Sequence, residues 1–139
     1  MRADAGFREI DHTADWALEL WAPDLEGLLE QAAAGMYEMS GLRFGSEIEV
    51  TREFELDGTD REQILVQFLS DLLYTLQTEH LAFDRFEFDL SQAGGRPSSV
   101  TAAGDPVAAI EKEIKAVTWH DLAIEETGDE LRARVTFDV

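Results

Sequence analysis

EIEVTREFELDGTDREQILVQFLSDLLYTLQTE (residues 47–79) changes its apolar period half-way along, and that change decides the fold class. Up to Leu56 the apolar residues Ile48, Val50, Phe54 and Leu56 fall on alternate positions, with Glu47, Glu49, Thr51, Glu53 and Glu55 between them. A period of two is that of a strand with one wet face. Arg52 interrupts the apolar parity, which suits a sheet edge or a carboxylate partner. After the turn pair Asp57-Gly58, the residues Ile64, Leu65, Phe68, Leu69, Leu72, Leu73 and Leu76 recur at helical spacing. So wide a stripe is what a helix buries against a core, and no cofactor is needed to account for it. Thr59 followed by Glu62 predicts a capping box at its start.

The flanks extend the pattern in both directions. Residues 7–22 read as extended chain, with Trp16, Leu18, Leu20 and Ala22 on one parity. Pro23-Asp24 ends that strand, and Asp24 can cap a helix carrying Leu25, Leu28, Leu29, Ala32, Met36 and Met39, stopped at Gly41. HLAFDRFEFDLS (80–91) is extended again. Its parity changes between Leu81/Phe83 and Phe86/Phe88/Leu90, which predicts a bulge or two segments. QAGGRPSS (92–99) is a turn. From about Val100 the chain reads as further strands, with EIKAVTWHDLAIEE (113–126) extended and of ambiguous parity around Trp119. TGDE (127–130) is a turn. LRARVTFDV (131–139) places Leu131, Ala133, Val135, Phe137 and Val139 on one face, and Arg132, Arg134, Thr136 and Asp138 on the other. Strands around two amphipathic helices give an α+β class: a mostly antiparallel sheet with the helices packed on one face. A length of 139 residues suits one domain, 1–139, with one core.

Composition limits what the chain can do. The net charge is −19, from 30 acidic and 11 basic residues, and no basic stripe is present, so direct nucleic-acid binding is not expected. Nine of the basic residues are arginine; the two lysines are Lys112 and Lys115. An acid-rich, lysine-poor chain suits concentrated salt, which screens self-repulsion. There is no cysteine, which excludes disulfides, thiolate metal sites and a cysteine nucleophile. No apolar run approaches the ~20 residues of a membrane span, and MRADAGFREI has no apolar leader segment. A cytoplasmic, monomeric protein is expected.

Motifs for phosphate loops, dinucleotide folds, zinc proteases and serine hydrolases are absent from the sequence. Two places carry concentrated polar chemistry. In DHTAD (11–15), Asp11 and Thr13 can make turn hydrogen bonds and His12 can be a core residue, or His12 and Asp15 can serve a site. At the far end, Asp138 is followed directly by Val139 and its carboxylate. Oxygen ligands of that kind suit Ca²⁺, Mg²⁺ or Mn²⁺; the alternative is a frayed tail. Periodicity does not bring Asp15 and Asp138 together.

The blocks DHTAD, AAAGMYEM (32–39), ILVQFLSDLLYTLQTE (64–79), EIKAVTWH (113–120) and FDV (137–139), in that order, resemble the archease family over nearly the whole chain. The resemblance implies a small α+β protein that is not an enzyme but assists the GTP-dependent RtcB-type RNA ligase of tRNA splicing and RNA repair. Archeases promote ligase guanylylation and multiple turnover, and broaden its nucleotide use. It further implies a divalent cation, assigned as calcium in the family, held by Asp15, Asp138 and Val139. Lys115 falls on the lysine of the family's K-A-[VI]-T block and is expected near metal and partner, with His12 a weaker candidate. Two rival readings follow from composition: a metal-dependent hydrolase using His12, Asp15 and Asp138, and a chaperone-like module with exposed apolar surface.

Overall fold

The computed structural model describes residues 4–11 and 16–139, with Asp11 described through its backbone alone. Along the chain run β1 (Gly6–Asp11), β2 (Trp16–Ala22), α1 (Leu25–Ser40), β3 (Arg43–Phe44), β4 (Val50–Leu56) and α2 (Arg61–Glu79). They are followed by β5 (Leu81–Asp89), β6 (Ser98–Ala109), β7 (Ala116–Thr118), β8 (Ile124–Thr127) and β9 (Glu130–Asp138).

The expected α+β class holds, but the strands divide between two sheets instead of forming one. Every pairing among the described residues is antiparallel. In the first sheet β9 lies between β2 on one side and β7 and β8 on the other, and β1 pairs with β2. In the second, β6 is the common partner of β3, β4 and β5. A local period reveals which face of a strand is wet, not which strand it will pair with; hence one sheet is the simplest expectation from alternation alone.

The predicted parities match across the first sheet. Trp16, Leu18, Leu20 and Ala22 stand opposite Phe137, Val135, Ala133 and Leu131. Of these, Leu18, Leu20, Ala22, Val135 and Phe137 are fully buried. On the reverse face, Glu19 accepts from Arg8 and Arg132 at 2.6 and 3.0 Å. The hydrogen bond from Arg8 and the charge of the two guanidinium groups hold its carboxyl below the usual range.

Asp24 caps α1 as expected: its carboxylate accepts from the Gly27 N–H at 2.8 Å, and Gly41 ends the helix at φ +59°. The cap of α2 is shifted by one residue from the expected Thr59. Helical geometry begins at Arg61, so Asp60 is the extended residue whose carboxylate accepts from the Gln63 N–H at 2.8 Å. Gln63, not Glu62, reaches back, accepting from the Thr59 N–H at 2.8 Å. Both helices bury Leu-rich faces in one core. Phe68 of α2 meets Phe86 and Phe88 of β5 edge-on, with centroids 5.4 and 5.5 Å apart.

In the second sheet, β4 starts at Val50, so Ile48 is left 62% exposed outside the strand that alternation assigned to it. Arg52 fulfils both expectations: its strand pairs on one side only, and its guanidinium bonds Glu79 at 2.9 Å. The bulge predicted in residues 80–91 falls between Phe83 and Arg85. There the buried Tyr37 hydroxyl of α1 accepts from the Phe83 N–H at 3.2 Å, and burial raises the Tyr37 phenol above its ordinary range. Tyr37→Phe leaves that N–H without its partner and is expected to cost about 1–2 kcal/mol. Urea denaturation checks this; a loss below about 0.5 kcal/mol would assign the bulge to packing alone.

Residues 113–126 are not one strand. β7 pairs with Thr136–Asp138 and β8 with 130–133, while residues 119–123 loop out opposite Arg134 and Val135. Asp121 sits at φ +53° in this loop, which Leu122 closes by donating to the Trp119 carbonyl at 3.2 Å. The ambiguous parity around Trp119 marks this excursion.

Candidate functional site

One end of the first sheet gathers what the sequence leaves scattered. At this end β1 stops, β2 starts and β9 finishes beside the start of β7. Trp16 stands opposite Phe137, and Phe137 opposite Val117, so one row crosses three strands. Trp16 is the residue after Asp15, and Phe137 the residue before Asp138. Asp15 and His12 themselves lie outside the described residues, as does the Asp11 side chain.

Beyond that row, Ala116 faces Asp138, and the Lys115 N–H donates to the Asp138 carbonyl at 2.7 Å. This bond continues the ladder past β7 and fixes the backbone that carries the Asp138 carboxylate. The carboxylate is exposed, while Val139 is half-buried against the core. The apolar parity of LRARVTFDV therefore extends to its last member, and Val139 is packed instead of frayed. Among the described residues no three carboxylate or imidazole groups converge in a metal-holding cluster. Asp138 and the Val139 carboxylate supply oxygen donors only, a set suited to hard cations.

The segment leading into Lys115 is held at several points. The N–H groups of Glu111 and Lys112 both donate to the Ser40 carbonyl at the C-terminus of α1, at 3.0 and 2.9 Å. Ile114 is 2% exposed, and its carbonyl accepts from Gln77 Nε2 of α2 at 2.9 Å. Lys115 is exposed. Half-buried Lys112 turns toward β2, with its Nζ 3.0 Å from the centroid of the Trp16 ring. Both lysines of the chain thus stand around one sheet end.

Neither Lys112 nor Trp16 follows as a site residue from motif spacing. The available signal is compositional: two lysines three positions apart in a chain of charge −19. The other histidines do not join this end as a ligand set. His80 closes α2 at φ +56°, and His120 bonds the adjacent Asp121 at 3.1 Å in the looped-out segment.

Comparison with known proteins follows the same span. A sequence profile of the Archease protein family (MTH1598/TM1083) matches residues 7–139. "Protein archease" of Archaeoglobus fulgidus is 33% identical over 135 residues, covering 96% of this chain and 98% of that protein. The fold is similar to the crystal structure of a Thermotoga maritima protein described as an archease, possible chaperone. The TM-score is 0.74 at 28% identity, over 95% of this chain and 96% of the other. The solution structure of Methanobacterium thermoautotrophicum protein 1598 aligns with TM-score 0.68 at 28% identity, over 96% of this chain and 99% of that one.

Proposed function

This chain belongs to the archease family, and from that membership we propose that it activates a GTP-dependent RNA ligase of the RtcB type. Membership supports the coarser statement, an accessory protein. In the finer reading the protein promotes guanylylation of the ligase, lets it turn over repeatedly and broadens its nucleotide use. The working end is the one described above. Asp15, Asp138 and the Val139 carboxylate hold a divalent cation there, Ca²⁺ or Mg²⁺ or Mn²⁺, and Lys115 faces the partner. A bound cation supplies charge neutralisation among these carboxylates and orders the strand ends that bear them.

The observation that carries this reading is the row Trp16–Phe137–Val117 with Lys115 tied to Asp138. It gives the residues on either side of the proposed ligands a common, backbone-fixed frame. Oxygen donors fit a hard cation, and Val139, which would offer one of them, is half-buried against the core. The strongly acidic surface suits docking on a basic ligase, where complementary charge speeds encounter. The protein need not grip RNA for this. It favours the ligase conformation that reacts with GTP by binding that conformation better.

The test adds the purified protein to its cognate ligase and follows guanylylate formation and multiple-turnover joining. Asp138→Ala, and a short C-terminal extension that converts the Val139 carboxylate to an amide, should each weaken Ca²⁺ binding at least ten-fold by calorimetry. Both should abolish activation while melting cooperatively close to the parent. Normal calcium binding and activation by the extended protein would refute the ligand assignment. No effect of the parent protein on the ligase would end the activator reading. Suppression of client aggregation would then favour the chaperone-like alternative, to which Trp119 and Phe44, 57% and 45% exposed, lend an apolar surface.

A further inference from the structure

We propose that Lys112 is a positioning residue, clamping the 111–115 segment to the start of β2 through the Trp16 ring and so presetting Lys115 and Asp138. This rests on the reading of that sheet end as the working end. An ammonium 3.0 Å from an indole centroid is well inside the ~6 Å reach of a cation–π contact. Tryptophan is also the ring that binds a cation best. Among the described residues Lys112 has no carboxylate partner, although the chain carries 30 acidic residues. Among those residues the ring is the group that the ammonium engages.

The backbone explains why this one side chain matters. Main-chain groups tie the segment to α1 through Ser40, to α2 through Gln77 and to β9 through Asp138. Lys112 adds a tie to β2, the strand that begins one residue after Asp15. α1, α2, β9 and β2 are thus joined through five consecutive residues. Trp16 stands opposite Phe137, the residue before Asp138, so the clamp and the Lys115–Asp138 bond act on neighbouring positions of the same sheet end. Lys112 is not itself one of the proposed ligands. It acts by narrowing the geometries available to Lys115 and Asp138 before anything binds, which reduces the ordering cost of binding.

The experiment compares Lys112→Met, which keeps an unbranched apolar side chain and removes the charge, with Lys112→Arg, which restores a cation, and with Trp16→Leu. In metal-free protein, Lys112→Met should shift the Trp16 indole N–H resonance. It should also speed hydrogen exchange of the Lys115 amide about ten-fold, with Tm changed by no more than a few degrees. In the same variant Ca²⁺ affinity and ligase activation should fall five- to twenty-fold, and Lys112→Arg should recover both to within about two-fold. Trp16→Leu combined with Lys112→Met should be no worse than the more damaging of the two single changes. An unmoved Trp16 resonance and unchanged Lys115 exchange in Lys112→Met would overturn the clamp. So would additive effects in the double variant, or Lys112→Arg behaving like Lys112→Met. The metal-free measurements separate the two ideas: a clamp present in a protein that neither binds Ca²⁺ nor activates the ligase would sink the proposed function alone.

Discussion

Gly104→Ala is expected to lower the unfolding free energy by about 3–4 kcal/mol, at or above the top of the usual overpacking range. Gly104 lies on β6, opposite Val50 of β4 and Phe83 of β5, at the edge of the Phe83/Arg85 bulge. A Cβ there would sit 1.9 Å from the Ala82 carbonyl oxygen and 2.6 Å from the Phe83 Cα. Both are backbone atoms, so no rotamer change relieves the collision. β5 must move away from β6 and surrender ladder bonds where the Tyr37 hydroxyl also docks. Urea denaturation measures the loss through the midpoint at constant slope. A decrease below about 1 kcal/mol would mean that the bulge yields freely. Thr101→Ala, on the wet parity of the same strand, serves as the control and should stay within about 0.5 kcal/mol.

Phe68→Ala is expected to cost a further large amount, about 3–5 kcal/mol, because it removes a fully buried ring and leaves a cavity between α2 and β5. The ring meets Phe86 and Phe88 edge-on, so its loss removes two aromatic contacts along with apolar area. Phe68→Leu should recover roughly half of the loss by refilling much of the space. Phe86→Ala combined with Phe68→Ala should destabilise by less than the sum of the single changes, since the two rings share one contact. Additive losses would show that α2 packs on β5 without relying on the cluster.

The helices and the wet and dry faces of the strands are legible in the sequence because those features depend on local spacing. Leu18, Leu20 and Ala22 on one side, and Val135 and Phe137 on the other, declare their burial by parity alone. Pairing does not declare itself, since alternation is the same whichever neighbour a strand acquires; the split into two sheets is therefore hidden. The cap of α2 moves by one residue from its expected place because Thr59 and Asp60 are both competent caps, and the helical boundary at Arg61 decides between them. Residues 113–126 look extended because each half is extended, and the loop at 119–123 lies between halves that pair with the same strand. At the candidate site, family blocks single out Asp138 and Lys115, and only the fold joins them by a backbone bond. Lys112 carries no motif: its contact with Trp16 depends on the fold bringing the 111–115 segment beside the start of β2.

The position of β9 between β2 and the β7–β8 pair has a consequence for the order in which the molecule assembles. Glu19 and Arg132, bonded across β2 and β9, are 113 positions apart in the chain. During synthesis the β1–β2 hairpin must wait, with the β2 edge unpaired, for residues 131–137 to emerge. The second sheet and α2, contained within residues 43–109, have all their strands well before that. Closing so long a loop is slow, and a waiting strand edge invites pairing with other chains. The first sheet is thus the last part to form, and the candidate site, built on the strand that completes it, becomes available only when folding is finished.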